Sequence, residues 1–408
     1  MEGSNKLPWG WRLVKLAEIC LINPSKRQIP DLSPETPVTF VPMAAVDEDT
    51  GTMTTTETRT LSQVRKGYTY FADGDVIWAK ITPCMQNGKA AVARDLTSGL
   101  GFGSTEFHVL RPRNEMIPEW VFYYVRRPSF REQATHHFTG SVGQQRVPAS
   151  FLENYEIPVP PLAEQQRIVR RIDEIKERLT EVERLRERAR DEAAALVPTA
   201  LREVFGGSLR KPQERLGDLL SEPLMNGRSP RSSPEGIAAL TLSAVRNGAL
   251  DFSRIKRVSM TLEAATRWFI RQNDFLVVRG NGSRELVGRG ALNEGGDRSV
   301  IFPDLLIRVR MTGRILPQFL RWQWDSEPVR LQLLRSARTA AGIWKINQEA
   351  LLNVKLWVPE PDRQHELVEY LDSLQSKAES VRRLREASQV ELEVLLPRIL
   401  AMAFEGEL

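Results

Sequence analysis

Two apolar patterns alternate along the chain. Short runs rich in β-branched and aromatic residues read as strands: "VTFVPMAAV" (38–46), "GDVIWAKI" (74–81), "TEFHVLRP" (105–112), "DFLVVRG" (274–280), "DLLIRVRM" (304–311) and "VKLWVP" (354–359). Gly, Asn, Asp and Pro punctuate them. Two stretches with proline near the start, "IPEWVFYYVRRPSFREQA" (117–134) and "LPQFLRWQWDSEPVRLQLL" (316–334), read as helices, because proline's missing N–H is harmless in a first turn. The second pattern is longer. From about 162 to 196 the apolar positions Ile168, Ile172, Ile175, Leu179, Val182, Leu185, Ala189 and Leu196 step mostly by three and four, as in a heptad seam. Leu367, Leu371, Leu374, Ala378, Val381, Leu384, Ser388 and Leu395 do the same near the chain end. An amphipathic helix cannot bury its stripe alone, so the two are expected to pack together, antiparallel. Each would be a rod of roughly 50 Å. Pro198 and Pro397 are expected to kink or end the rods near their last turns.

The two halves are copies. A shift of 199 residues aligns 118–209 with 317–408 without a gap, and 15 of the 45 positions from 165 to 209 are identical. Pro160 falls on Pro359, Gln165 on Gln364, Pro198 on Pro397 and Phe205 on Phe404. Upstream, "ADGDVIWAK" (72–80) matches "RQNDFLVVR" (271–279) only in outline. The helices stayed alike while the parts before them diverged. The expected fold class is α+β: two mixed α/β domains at 1–161 and 210–360, separated by two long antiparallel coiled-coil helices at 162–209 and 361–408, with an internal pseudo-two-fold repeat.

With 408 residues, two domains are in keeping with the length. Two cysteines, Cys20 and Cys84, argue against a disulfide framework or a zinc ribbon. Apolar runs of strand length are too short for a membrane span, and "MEGSNKLPWGW" lacks a signal pattern. A soluble cytoplasmic protein without membrane association is expected. Charge narrows the reading further. Residues 1–161 and 162–209 are neutral, 210–360 carry +9 and 361–408 carry −4. Arg supplies 20 of the 24 cations in the basic block, and its fork suits phosphates and guanines.

Catalytic patterns are missing from the sequence. His108, His136, His137 and His365 have no metal-ligand spacing. No P-loop occurs, and "GLGFGSTEF" (99–107) lacks the spacing of a dinucleotide cradle. Neither an amino-methyltransferase tetrapeptide nor a nuclease-type acidic motif is present. The chain reads as a binder, without catalytic residues, cofactor or metal of its own.

"IPVPPLAEQQRIVRRIDEI" (157–175) is similar to the segment that closes each target-recognition domain in specificity (S) subunits of Type I restriction-modification systems. "LPWGWRLVKLAEI" (7–19) resembles their N-terminal start, and the domain–helix–domain–helix order covers essentially the whole chain. In the second copy the signature is degraded to "VPEPDRQHELV" (358–368), where only Gln364 survives from the "EQQ" triplet. The resemblance implies a prokaryotic, non-catalytic DNA-recognition subunit with a role in phage defence. Each domain would read one half of a bipartite double-stranded DNA target. The helices would set the spacer and dock two modification (M) subunits. Those would hold S-adenosylmethionine and methylate adenine N6, and any restriction (R) subunits would use ATP and Mg. Two other readings stay open: the specificity subunit of a related two-component restriction–methylation enzyme, and a coiled-coil scaffold without DNA specificity.

Base reading in the major groove calls for Arg or Lys on guanine and Asn or Gln on adenine, on loops carried by a rigid body. The first domain offers Lys80, Gln86, Asn87 and Lys89, then Thr139, Ser141, Gln144, Gln145 and Arg146. The second offers Arg279, Asn281, Ser283, Arg284 and Arg289, then Arg338, Thr339, Trp344 and Lys345. These loops hold equivalent places in the two copies.

Overall fold

The structure, a computed structural model, describes residues 7–113, 115–141, 144–206, 212–340 and 342–408. Two compact units emerge, one holding residues up to Leu185 together with Glu386–Leu408, the other Arg186–Arg385. Each combines a mixed α/β domain with the start of one long helix and the finish of the other. The expected boundary at 209/210 lies outside the described residues.

In the first unit, strands Cys20–Ile22, Phe107–Pro112, Val76–Ala79 and Ala90–Val92 form an antiparallel sheet in that order. Successive side chains of a strand point to opposite faces, and the cores follow this rule. Val76, Trp78, Ala90 and Leu110 join a cluster with Trp120, Val121 and Val125 of helix Pro118–Arg126. Ile77, Ala91 and Val109 enter another cluster with Val41 and Phe71. Those two residues belong to a second sheet ordered Glu57–Thr60, Pro37–Val41, Leu100–Gly103, Thr69–Ala72. Val76–Ala79 is thus covered on both faces, which is why it reads as an unbroken apolar run.

The second unit repeats the logic. Phe275 and Val277 pack with Phe319 and Leu320 of helix Pro317–Trp324, while Leu276 and Val278 pack in a separate cluster. Their strand, Phe275–Val278, lies between Leu306–Val309 and Gly290–Leu292. The 199-residue register reaches further upstream than the sequence similarity does. Buried Asp75 accepts two bonds from Arg111, both 2.7 Å, and one from the Ala72 amide at 2.7 Å. Buried Asp274 accepts from Arg310 at 2.5 and 3.1 Å and from the Arg271 amide at 2.8 Å.

Each domain hands over to its long helix through a tied joint. Arg12–Lys15 pairs antiparallel with Glu156–Val159, and Gln213–Arg215 pairs with Lys355–Trp357. The helices Leu162–Phe205 and Pro361–Glu405 follow. Three residues into the first, Gln165 is only 1 % exposed. Its Nε2 donates to the carbonyls of Pro160 (3.0 Å) and Glu115 (2.9 Å), and its Oε1 accepts from the Ile117 amide (3.2 Å). Gln364 repeats this with Pro359 (2.8 Å), Arg314 (2.9 Å) and the Leu316 amide (2.7 Å). About two turns further on, Tyr123 donates to Asp173, and Trp322 Nε1 donates to Asp372 at 2.8 Å.

The helices run antiparallel within each unit. In the second, Arg186 Nη2 donates to the Arg385 carbonyl at 2.8 Å, while Ala200, Val204 and Phe205 share a core with Leu367 and Leu371. In the first, Arg167 donates to the Leu408 carbonyl at 2.6 Å, and Ile168 and Ile172 share a core with Leu400 and Phe404. Two expectations need correction. Of the expected kink or end at each proline, the end does not occur: both helices continue, to 205 and 405. Burial of Ala200, Val204 and Phe205, and of Leu400, Ala403 and Phe404, offsets the missing proline hydrogen bond. The apolar seam is also not continuously buried. Its ends are in the domain cores, but Leu185 is 48 % and Leu384 72 % exposed.

Replacing Gln165 with Leu leaves two carbonyls and one amide without that partner. It is expected to destabilise the first unit by roughly 2–4 kcal/mol. Urea unfolding followed by a probe in each unit checks this: only the first unit's transition shifts, and Gln364→Leu shifts only the second.

Candidate nucleic-acid interface

The two candidate segments of each domain, far apart in sequence, are sewn together by backbone hydrogen bonds. In the first unit the Val147 amide donates to Lys80 O at 2.9 Å and the Thr82 amide to Gln145 O at 3.0 Å. Ile81 and Thr139 both pair antiparallel with Arg146. In the second unit the Ile346 amide donates to Arg279 O at 2.8 Å. Gly280–Asn281, Ile343–Lys345 and Arg338–Ala340 form a three-stranded ladder, with Gly280 and Arg338 both opposite Lys345. These pairings repeat at 199 residues. The frame is therefore common to both units, although its side chains differ almost throughout.

Gln86, Asn87, Thr139, Ser141 and Gln144 are exposed in the first unit, and Lys80, Lys89, Gln145 and Arg146 are half-buried. In the second, Ser283, Arg284, Arg289, Arg338, Thr339 and Lys345 are exposed, and Arg279, Asn281 and Trp344 are half-buried. Several carry internal bonds. Arg146 grips Glu106 with two bonds (2.8 and 2.7 Å), which holds the Glu106 carboxyl below its ordinary range. Glu48 accepts from Asn87 at 3.2 Å and faces Lys89 at 3.9 Å. Arg289 pairs with Asp325 at 2.7 Å, and Arg284 lies over the Trp344 ring at 5.0 Å. These partners orient the loops and neutralise part of their charge.

Other groups beside the frame were not singled out from sequence. A groove in the second unit runs past Arg279 and is lined by Arg228, Arg267, Trp268 and Asp304. Arg228 and Arg267 both lie over Trp268, at 5.2 and 4.7 Å. The adjacent Arg267-Trp268 pair was the available signal; Arg228 is distant in sequence. In the first unit His108 is buried against the frame. Its Nε2 donates to Val147 O at 2.8 Å and its Nδ1 accepts from Asn23 Nδ2 at 3.1 Å, a tautomer set by these partners. Burial pushes its pKa down to about 4.

A family model described as "Type I restriction modification DNA specificity domain" matches residues 8–189. The specificity subunit of the Escherichia coli Type I restriction enzyme EcoEI is 43% identical over 169 residues, 41% of this chain and 28% of its own length. That of EcoAI, also from E. coli, is 38% identical over 201 residues, 49% of this chain and 34% of its own. The chain thus spans about a third of the length of these two curated relatives. The HsdS subunit from Thermoanaerobacter tengcongensis, a crystal structure, superposes with a TM-score of 0.72 at 27% identity, covering 100% of both chains. Over residues 8–189 the chain is similar to the Type I specificity domain, and over its whole length it is similar to an HsdS subunit. The family model takes in the first joint and the first hydrogen-bonded frame. The second joint and frame enter through the whole-length structural match. None of the described helices is long and apolar enough to cross a membrane.

Because folding lowers the His108 pKa from 6.5 to about 4, the unfolded chain binds more protons between those values. His108 therefore contributes stability that is present above pH 6.5 and lost as pH falls toward 4. Urea denaturation at pH 7 and pH 5 is expected to show a drop in first-unit stability that His108→Gln reduces.

Proposed function

We propose that this chain is the non-catalytic DNA-reading subunit of a Type I restriction-modification complex. Each unit reads one half of a bipartite duplex target from the major groove. The long helices set the spacer between the halves and dock modification subunits, two per chain. Those subunits hold S-adenosylmethionine and transfer its methyl group to adenine N6; any restriction subunits supply ATP- and Mg-dependent cleavage.

The observation that carries this reading is the frame built twice with different edges. The same hydrogen-bonded ladder presents Gln86, Thr139, Ser141 and Gln144 in one unit, and Ser283, Arg338, Thr339 and Lys345 in the other. Equal frames suit two segments of one duplex, about one helical turn apart. Unequal edges suit an asymmetric target, because amides and hydroxyls favour different base patterns from guanidinium and ammonium groups. The charge difference between the halves gives the second unit the larger share of phosphate attraction.

Methylome sequencing of cells that express the chain with its modification subunits tests this. The expected product is adenine methylation in a split, asymmetric motif. Arg338→Ala with Thr339→Ala should relax one half of that motif and leave the other half and the spacer intact. Methylation that is independent of this chain, or a contiguous motif, overturns the proposal.

A further inference from the structure

Beneath each reading loop lies an arginine outside the candidate set. Arg131, on helix Pro128–Thr135, donates through Nη1 to the carbonyl of Gln86. Arg330, on helix Glu327–Ser336, donates through Nη2 to Glu285 O at 2.9 Å and Val287 O at 3.1 Å. Both the arginines and the acceptors Gln86 and Glu285 are 199 residues apart. The contact is kept in register between loops whose sequences have diverged.

The loops are shaped to admit these side chains. At Gly88 (φ +86°) an added Cβ would lie 3.0 Å from Arg131 Nη1. At Gly288 (φ +74°) it would lie 3.4 Å from Arg330 Nη1 and 3.1 Å from Leu333 Cβ. Both glycines hold left-handed backbone conformations that an L side chain rarely adopts. The acceptors are backbone carbonyls, so each contact orients peptide planes and leaves the cation's charge in place. Burial acts on both groups, lowering the pKa of Arg330 to about 10 and that of Arg131 in the same direction. A desolvated cation is an expensive brace. Its use twice at one register points to the loop conformation as the feature being held. Fixing the peptide planes at 285 and 287 also fixes the directions in which neighbouring side chains leave the backbone.

We propose that Arg131 and Arg330 are positioning residues, each holding one loop in its DNA-reading conformation through the carbonyls beneath it. This rests on the function proposed above. A loop displaced by about 1 Å loses much of the benefit of preorganisation.

The test uses the full chain with its modification subunits, as wild type, Arg330→Met and Arg330→Lys. Hydrogen exchange is expected to speed up roughly tenfold or more at amides 281–289 in Arg330→Met, with little change at Phe275–Val278. The methylome is expected to relax in one half-site only. Lys keeps the charge but donates from a single nitrogen without the planar fork, so it should restore both readouts in part; Arg131→Met should relax the other half-site. Unchanged loop exchange, or acceleration spread across the unit's strands, overturns the positioning role. A loosened loop with an intact motif overturns the assignment of that loop as a reader.

Discussion

One neutral side-chain amide organises each joint. Gln165 and Gln364 supply two donated bonds and one accepted bond in nearly solvent-free positions. Glutamine alone among residues of that length offers both roles without charge; Glu would bring an acceptor-only anion. The three groups it binds come from the proline that closes the domain's last strand and from the segment leading into helix Pro118–Arg126 or Pro317–Trp324. Strand, domain helix and long helix are thereby fixed at one point. A second tie, Tyr123 to Asp173 and Trp322 to Asp372, sets the rotation of the long helix about two turns later.

This explains which part of "PPLAEQQ" survives duplication. Leu162 and Ala163 are exposed and Glu164 is half-buried, so the domain core places few demands on them. Asp362, Arg363 and their neighbours could diverge freely. The amide could not, because its loss would leave buried backbone groups unpaired. The frames tell the same story. Hydrogen bonds between main-chain groups are retained, while the side chains at their edges differ.

Much of the fold was legible in local pattern. The run at Val76–Ala79, the proline-started helices and the long three-and-four stepping of the rods depend on neighbours in sequence. The mistakes came from tertiary context. Pro198 and Pro397 carry an ordinary stop signal, but the residues after them are buried in domain cores and hold the helix. The rod stripe looked like one seam, yet it is buried at its ends and exposed at Leu185 and Leu384. The candidate loops were recognised by residue type; their joining through Ile81, Arg146 and Thr139 is a non-local pairing that no spacing announces. Charge counting also exaggerated the uncommitted positive charge of the second unit. Arg310 is committed to Asp274 and Glu222, Arg308 to Glu222, Arg314 to Glu214 and Arg289 to Asp325.

If the joints are rigid and each unit reads DNA as proposed, the long helices act as rulers between the two half-sites. The most direct measurement is the methylated motif of a chain carrying four extra residues inside Leu162–Phe205. Four residues lengthen a helix by about 6 Å, or one turn, equivalent to about two base pairs. The account predicts a longer spacer with both half-sites unchanged. Altered half-sites at an unchanged spacer would contradict it.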